Sequence, residues 1–133
     1  MRKNGDVAAK AFLRYAAYGF DRLERDAFDM LDSIRGCTAN REEAGRMLAV
    51  YDTLRLLDYE GRREELLALR EVYFRGAGRR LRRNDITWRV QRFATDHFMD
   101  ARTVYRRLAR VKRLYFTVLE GAFKSGNKIL KNL

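Results

Sequence analysis

Apolar side chains recur every three or four residues along most of this 133-residue chain, which contains no proline. That spacing places apolar groups on one face of an α-helix, and proline would break such helices. Clusters of turn-forming residues are few. The sequence therefore predicts an all-α fold, and its length is sufficient to bury a hydrophobic core.

The first 62 residues predict a helical hairpin for dimerisation or partner contact. An apolar stripe over residues 7–34 predicts one long first helix, with the members Ala8, Phe12, Tyr15, Gly19, Leu23, Ala27, Met30 and Ile34. Gly36 suits the end of that helix and Asn40 the N-cap of a second one. The second helix carries Met47, Tyr51, Leu54 and Leu57. We expect the aromatic residues of this half in the core or a subunit interface: Phe12, Tyr15, Tyr18, Phe20, Phe28, Tyr51 and Tyr59.

The second half predicts further helices. After a weak break at residues 58–61, a helix continues to about Phe74, and glycines interrupt it at 76 and 78. Asp85 is a candidate cap for a short helix over residues 86–98. A final long helix starts after Asp100 and ends near Gly121, before a frayed basic tail at 124–133.

The net charge of +11 lies in the second half of the chain. Residues 1–66 hold 12 basic and 13 acidic residues, whereas residues 67–133 hold 17 basic and 5 acidic ones. Most of the basic residues are arginines, which favour forked contacts to phosphate and guanine. This asymmetry indicates a scaffold that carries an anion-binding face for nucleic acid or an anionic membrane.

Composition excludes several classes of function. One cysteine and one histidine cannot form an intrachain disulfide or the usual zinc sites, and no apolar run is long enough to span a membrane. The N-terminus does not resemble a signal peptide, so we expect a cytoplasmic protein. His97 beside Asp96 lacks a nucleophile or a glycine-rich loop. We therefore expect no catalytic residue, no cofactor and no metal ion.

Residues 90–108 have the spacing of a helix-turn-helix. That motif needs a small residue where the helices cross, which Ala94 supplies, and an apolar residue in the turn, which Met99 supplies. Asp100 suits the cap that opens the second helix. Val104 and Leu108 then anchor that helix against the first, whose buried side we expect to include Ile86, Val90, Phe93, Ala94 and Phe98.

The helix after Asp100 has two chemically distinct faces. At about 100° per residue, its large apolar residues fall within about 80° of one another: Val104, Leu108, Val111, Tyr115 and Val118. Arg102, Arg106 and Arg113 lie on the opposite side, around Ala109. A packed DNA-recognition helix has this arrangement.

Residues 64–116 resemble the helix-turn-helix of sigma-factor region 4 and of related small phage and prophage transcription regulators of the ArpU and RinA type. Residues 66–74 resemble the preceding helix, and residues 100–108 are similar to the recognition run Ser-Arg-x-Thr-Val-x-Arg-x-Leu. Phe98 replaces the usual turn glycine, Arg107 replaces a residue that is often small or apolar, and residues 76–83 resemble an insertion. The resemblance implies sequence-specific binding of double-stranded DNA, transcription control and no enzymatic activity.

Position on the recognition helix assigns the contacts to DNA. Arg102, Tyr105 and Arg106 are expected at base edges. Backbone contacts are expected from Thr103, Arg107, Arg110 and Arg113, from Thr87 and Arg89, and from Arg79, Arg80, Arg82 and Arg83 in the basic run. Residues 63–123 then form the DNA-binding region. RNA polymerase and a second copy of the chain are further candidate partners.

Three alternatives stay open. An RNA or single-strand binder without sequence specificity would need exposed aromatic side chains, of which only Tyr105 is expected beside the arginines. A protein-interaction adaptor would use the helical hairpin. A basic membrane-surface helix is disfavoured, because the preceding helix is expected to cover the apolar side of the last one.

Overall fold

The computed structural model describes residues 2–23, 26–38, 40–76, 81–82 and 84–131, and all their regular elements are helical. The prediction of an all-α fold is confirmed. The α-helices are α1 (Arg2–Ala17), α2 (Ala27–Cys37), α3 (Arg41–Tyr59), α4 (Arg63–Leu69), α5 (Asp85–Asp96) and α6 (Ala101–Lys131). A 3-10 turn covers Phe20–Arg22, and a π-helical turn over Arg70–Phe74 continues α4.

The prediction of one long first helix is wrong, because the chain turns between α1 and α2. Gly19 has φ +82°, a left-handed conformation that glycine enters without a Cβ clash. Its N–H donates to the carbonyl of Ala16 at 2.9 Å. Tyr15 and Phe20, on either side of the turn, pack edge-on with ring centroids 5.5 Å apart. The stripe has buried members on both sides of the turn, Phe12 and Tyr15 before it and Met30 and Ile34 after it, so its period gave no sign of the break.

Other helix ends in the first half follow the sequence more closely. The Asn40 side chain accepts the N–H of Glu43 at 2.8 Å, which confirms the predicted N-cap of α3. Gly61 has φ +71° just after α3 ends, so the weak break at 58–61 is a true helix end. Gly36 does not end α2, which continues through Cys37.

Two predicted boundaries in the second half are corrected. Asn84 occupies the N-cap position of α5, and Asp85 is its first residue. The Asp85 carboxylate accepts the N–H of Arg82 at 2.6 Å and so closes the turn that precedes the helix. Helix α6 continues to Lys131, well beyond the predicted end near Gly121, because no proline interrupts it.

One hydrophobic core joins the described parts of both halves. Helix α3 packs against α1, α2, α4 and α6, and α1 also packs against the π-helical turn and α6. The Phe12 ring lies 5.5 Å from the Tyr73 ring and 5.4 Å from the Tyr115 ring, measured between centroids. Residues before and after position 62 therefore share buried contacts.

Four of the seven aromatic residues expected in the core or an interface are buried in the single chain. These are Phe12, Tyr15, Phe20 and Tyr51. The other three, Tyr18, Phe28 and Tyr59, have exposed fractions of 36%, 77% and 90%. Tyr18 lies in the turn after α1, Phe28 in α2 and Tyr59 at the end of α3, so these three residues are outside the core of the single chain.

Candidate nucleic-acid interface

Helices α5 and α6 are joined by a short turn, residues 97–100. Ala94, near the end of α5, is buried, and its carbonyl accepts the N–H of Met99 at 2.9 Å. Met99 is partly buried against the core. The Asp100 carboxylate accepts the N–H of Arg102 at 3.4 Å, and its carbonyl accepts the N–H of Thr103 at 3.0 Å. Asp100 thus lies where a cap of α6 was predicted.

Phe98 contradicts the expectation that it belongs to the buried side of α5. Its side chain is 98% exposed. Its φ of 54° is left-handed, a conformation in which the Cβ of an L-residue crowds the backbone. Phe98 therefore takes part in the chain reversal between α5 and α6, and its ring lies outside the core.

Helix α6 buries one edge and exposes the other, as predicted. Val104, Leu108, Val111 and Tyr115 have exposed fractions of 0% to 2%. The opposite surface, which we call the α6 arginine face, consists of exposed residues: Arg102, Tyr105, Arg106, Ala109, Arg110 and Arg113. Tyr105 is 46% exposed, so its ring is available beside the arginines.

Two arginines assigned to the DNA backbone contact other parts of the chain. Arg107 forms an ion pair with Glu64 of α4. Arg89 donates to the carbonyl of Val72 at 2.8 Å. Arg107 therefore connects α6 to α4, and Arg89 connects α5 to the π-helical turn. Some of the N–H groups of both side chains are already bonded within the fold.

The remaining backbone candidates differ in exposure. Thr87 and Arg82 are exposed, whereas Thr103 is half-buried. Arg79, Arg80 and Arg83 lie outside the described residues, so the basic run is represented here by Arg82 alone. Arg110 and Arg113 are the two exposed candidates on α6 itself.

A cleft beside α5 was missed by the sequence interpretation. It encloses about 590 Å³, and we call it the α5 cleft; its lining includes Arg22, Arg75, Trp88, Arg92, Asp96 and His97. Trp88 is 56% exposed, and the Arg92 guanidinium lies 5.2 Å from its ring centroid. At about 100° per residue, Trp88 is about 160° from the buried Val90, a signal that could have identified it.

A second cavity, of about 520 Å³, lies among the first four helices and is lined partly by Tyr15, Asp21, Tyr51 and Arg70. Burial raises the pKa of the Asp21 carboxyl, while the nearby arginines, including Arg70, oppose that shift. Burial, followed by the charges of neighbours such as Tyr51, raises the pKa of Tyr15. Within the described residues, Asp21 Oδ1 is buried without a hydrogen-bond partner.

Among the described residues, no three His, Cys, Asp or Glu side chains lie together in a group that could hold a metal ion. No described helix has both the length and the apolar character that crossing a membrane requires. Comparisons with protein-family models, curated proteins and solved structures gave no match to this chain.

Proposed function

We propose that the chain is a sequence-specific double-stranded DNA-binding transcription regulator of phage or prophage type. In this proposal α5 and α6 form a helix-turn-helix, preceded by α4 and its π-helical turn, and α6 enters the major groove. The observation that carries it is the division of α6 between a buried edge, centred on Val104 and Leu108, and an arginine face opposite. A recognition helix requires both edges at once.

The N-terminal part of the α6 arginine face is the base-contacting region. Arg102 and Arg106 lie one turn apart and are exposed, so either can donate two hydrogen bonds to guanine. Tyr105 lies between them, and Ala109 is small enough to let the helix approach the base pairs. Arg110 and Arg113 lie farther along the helix and contact phosphate.

Electrostatic attraction supports the same surface. Residues 101–131 carry nine basic side chains and one acidic side chain, Glu120. Each phosphate contact releases condensed counterions, which makes binding steeply dependent on salt. The nearly neutral first half then acts as a scaffold and as the surface for a partner such as RNA polymerase or a second copy.

Selection of bound fragments from random duplex DNA tests this function. We expect a consensus sequence, and a slope of log affinity against log salt of about −5 or steeper. Arg106→Ala should weaken the selected duplex by about 1–3 kcal/mol and relax one base position. Arg35→Ala removes an exposed arginine from α2 and should leave binding unchanged. Failure to obtain a consensus, or a slope near zero, would exclude the proposal.

A second candidate is a single-strand or RNA binder without sequence specificity. The exposed rings of Trp88, Phe98 and Tyr105 favour it, since such proteins stack bases on aromatic side chains. Equal affinity for random duplex, RNA and the selected duplex would favour this candidate over the first. A large preference for the selected duplex would exclude it.

A further inference from the structure

We infer that the α5 cleft is a second binding site, which takes a single nucleotide by its unpaired base and its phosphate. No α6 residue lines the described part of this cleft. It is therefore distinct from the α6 arginine face, and the inference does not rest on the proposed function.

The aromatic side chains of the cleft can stack on the base of a nucleotide. Trp88 is more than half exposed, and the guanidinium of Arg92 lies 5.2 Å from the centroid of its ring. His97 is also exposed in the cleft, and its ring stacks on the buried Phe93 with centroids 4.1 Å apart. Stacking on aromatic rings and on arginine is the usual means by which proteins hold unpaired bases.

The positive charge of the cleft can attract the phosphate of a nucleotide. Four arginines line it, Arg22, Arg75, Arg89 and Arg92, against the two carboxylates of Glu71 and Asp96. Glu71 pairs with Arg75 at 2.9 Å, and Asp96 lies 3.9 Å from Arg92. The excess of two positive charges favours a phosphate, which arginine binds through forked hydrogen bonds.

One arginine of the cleft is already positioned by the fold. The carbonyl of Val72 holds the Arg89 guanidinium at 2.8 Å, and a Cβ on Gly76 would lie 3.1 Å from Arg89 Nη2. Gly76, with φ +71°, therefore leaves room for this side chain beside the backbone. A fixed guanidinium loses less conformational entropy when an anion binds to it.

The volume of the cleft is sufficient for one nucleotide. About 590 Å³ is within the range of small-molecule sites, and a paired base inside a duplex cannot enter such a space. Two sources have the required chemistry: a free mononucleotide, and an unpaired nucleotide within a nucleic-acid strand.

The chain contains one tryptophan, so its tryptophan fluorescence comes from Trp88, which lines this cleft. Adenosine monophosphate and a single strand of roughly eight nucleotides are titrated separately into the full chain. We expect at least one of them to quench the emission to saturation. Adenosine and inorganic phosphate, each lacking half of the ligand, should bind at least about tenfold more weakly, because each keeps only one of the two kinds of contact.

Matched variants locate the binding. Arg92→Gln should weaken the quenching ligand about tenfold or more, whereas Arg106→Gln, on the α6 arginine face, should leave its binding unchanged. Trp88→Ala, measured by equilibrium dialysis, should lose binding to a similar extent. Quenching by the mononucleotide identifies a free ligand, and quenching by the strand alone identifies an unpaired nucleotide of a nucleic acid. No saturable quenching by either probe, quenching by blunt duplex only, or equal weakening by Arg106→Gln would overturn the inference.

Discussion

Phe12 of α1 packs edge-on against Tyr115 of α6, with ring centroids 5.4 Å apart and ring planes inclined at 72°. Both side chains are fully buried. The contact connects the nearly neutral first half of the chain to the helix that carries the arginine face. The orientation of α6 therefore depends on α1 as well as on its sequence neighbour α5.

Phe12→Ala tests the strength of this connection. The substitution removes a buried ring that contacts both Tyr73 and Tyr115, and we expect the free energy of unfolding to fall by about 3–5 kcal/mol. Urea unfolding, monitored by circular dichroism, measures this change in the free energy of unfolding. Val7→Ala, at a position 43% exposed on the same helix, should change stability by less than about 1 kcal/mol. Equal effects of the two variants would contradict the shared core.

A fragment of residues 63–131 tests whether the basic half folds alone. Phe12 and Tyr15 fill space beside Tyr115 and Phe74, so their removal leaves apolar surface open to water. We expect the fragment to lack a cooperative thermal transition and to bind a hydrophobic dye. A sharp transition with native-like near-ultraviolet dichroism would show instead that residues 63–123 form an independent domain.

Helical periodicity predicted α6 well and the first helix poorly. In α6 the apolar and arginine residues occupy opposite edges. Each set recurs at steps of three or four residues, and a helix is the regular element that places residues with this spacing on one edge. In the first stretch, Gly19 falls on the apolar stripe, so the period predicts that the helix continues through it. Gly19 adopts a left-handed conformation, and Tyr15 and Phe20 pack edge-on across the turn. The spacing of apolar residues carries no signal for such a turn, because the stripe has the same period before and after it.

The sequence predicted which arginines at the start of α6 are exposed. It did not predict which arginines bind residues that are distant in sequence. The exposure of Arg102 and Arg106 follows from helix phase alone. Arg107 and Arg89 are engaged by Glu64 and the Val72 carbonyl, which are remote in sequence. Phe98 was assigned to the core because it is apolar, although the turn required a residue that adopts positive φ.

Phe98→Gly should stabilise the protein. The ring is 98% exposed and loses almost no packing, while glycine adopts the φ of 54° without crowding. We expect the free energy of unfolding to rise by about 0.5–1 kcal/mol, since the relief of strain exceeds the added entropy of the unfolded chain. Phe98→Ala keeps the strain and should leave stability nearly unchanged. A loss of stability on Phe98→Gly would mean that the ring makes a necessary contact.

Asp21→Asn should change how stability depends on pH. Burial raises the pKa of Asp21 in the folded state, so the folded protein binds this proton more tightly than the unfolded chain does. The wild type should therefore gain stability as pH falls through the raised pKa, and the gain is complete below the unfolded value of about 3.9. Asp21→Asn should raise stability at neutral pH and remove that part of the slope.

Denaturant unfolding across this pH range measures the difference between the Asp21→Asn variant and the wild type. Asp32→Asn, which removes an exposed carboxylate from α2, serves as the matched control and should leave the slope unchanged. Asp52 has a pKa raised mainly by burial, so part of the acid-side gain persists in the Asp21→Asn variant. An Asp21→Asn variant that is less stable at neutral pH would show that the ionised carboxylate stabilises the fold.

Glu64→Gln tests whether Arg107 reaches DNA. In the folded chain the Glu64 carboxylate neutralises Arg107, whose side chain is 27% exposed, and a carboxylate beside the arginine face also repels phosphate. The substitution should release Arg107, tighten binding to the selected duplex and steepen its salt slope by about 0.9, the value for one added phosphate contact. Stability should fall by at most about 1 kcal/mol, as for other exposed ion pairs.

Glu42→Gln is the matched control for this change. Glu42 lies 3.7 Å from Arg46 on α3, so its replacement removes one negative charge from the chain and releases an arginine of α3, not one of α6. We expect its salt slope to equal that of the wild type. Suppose that Glu64→Gln leaves the salt slope of DNA binding unchanged, and that Arg107→Ala lowers stability without weakening DNA binding. Arg107 then joins α6 to α4 and takes no part in binding DNA. Arg102, Tyr105 and Arg106, with Arg110 and Arg113, would then account for the contacts made by α6.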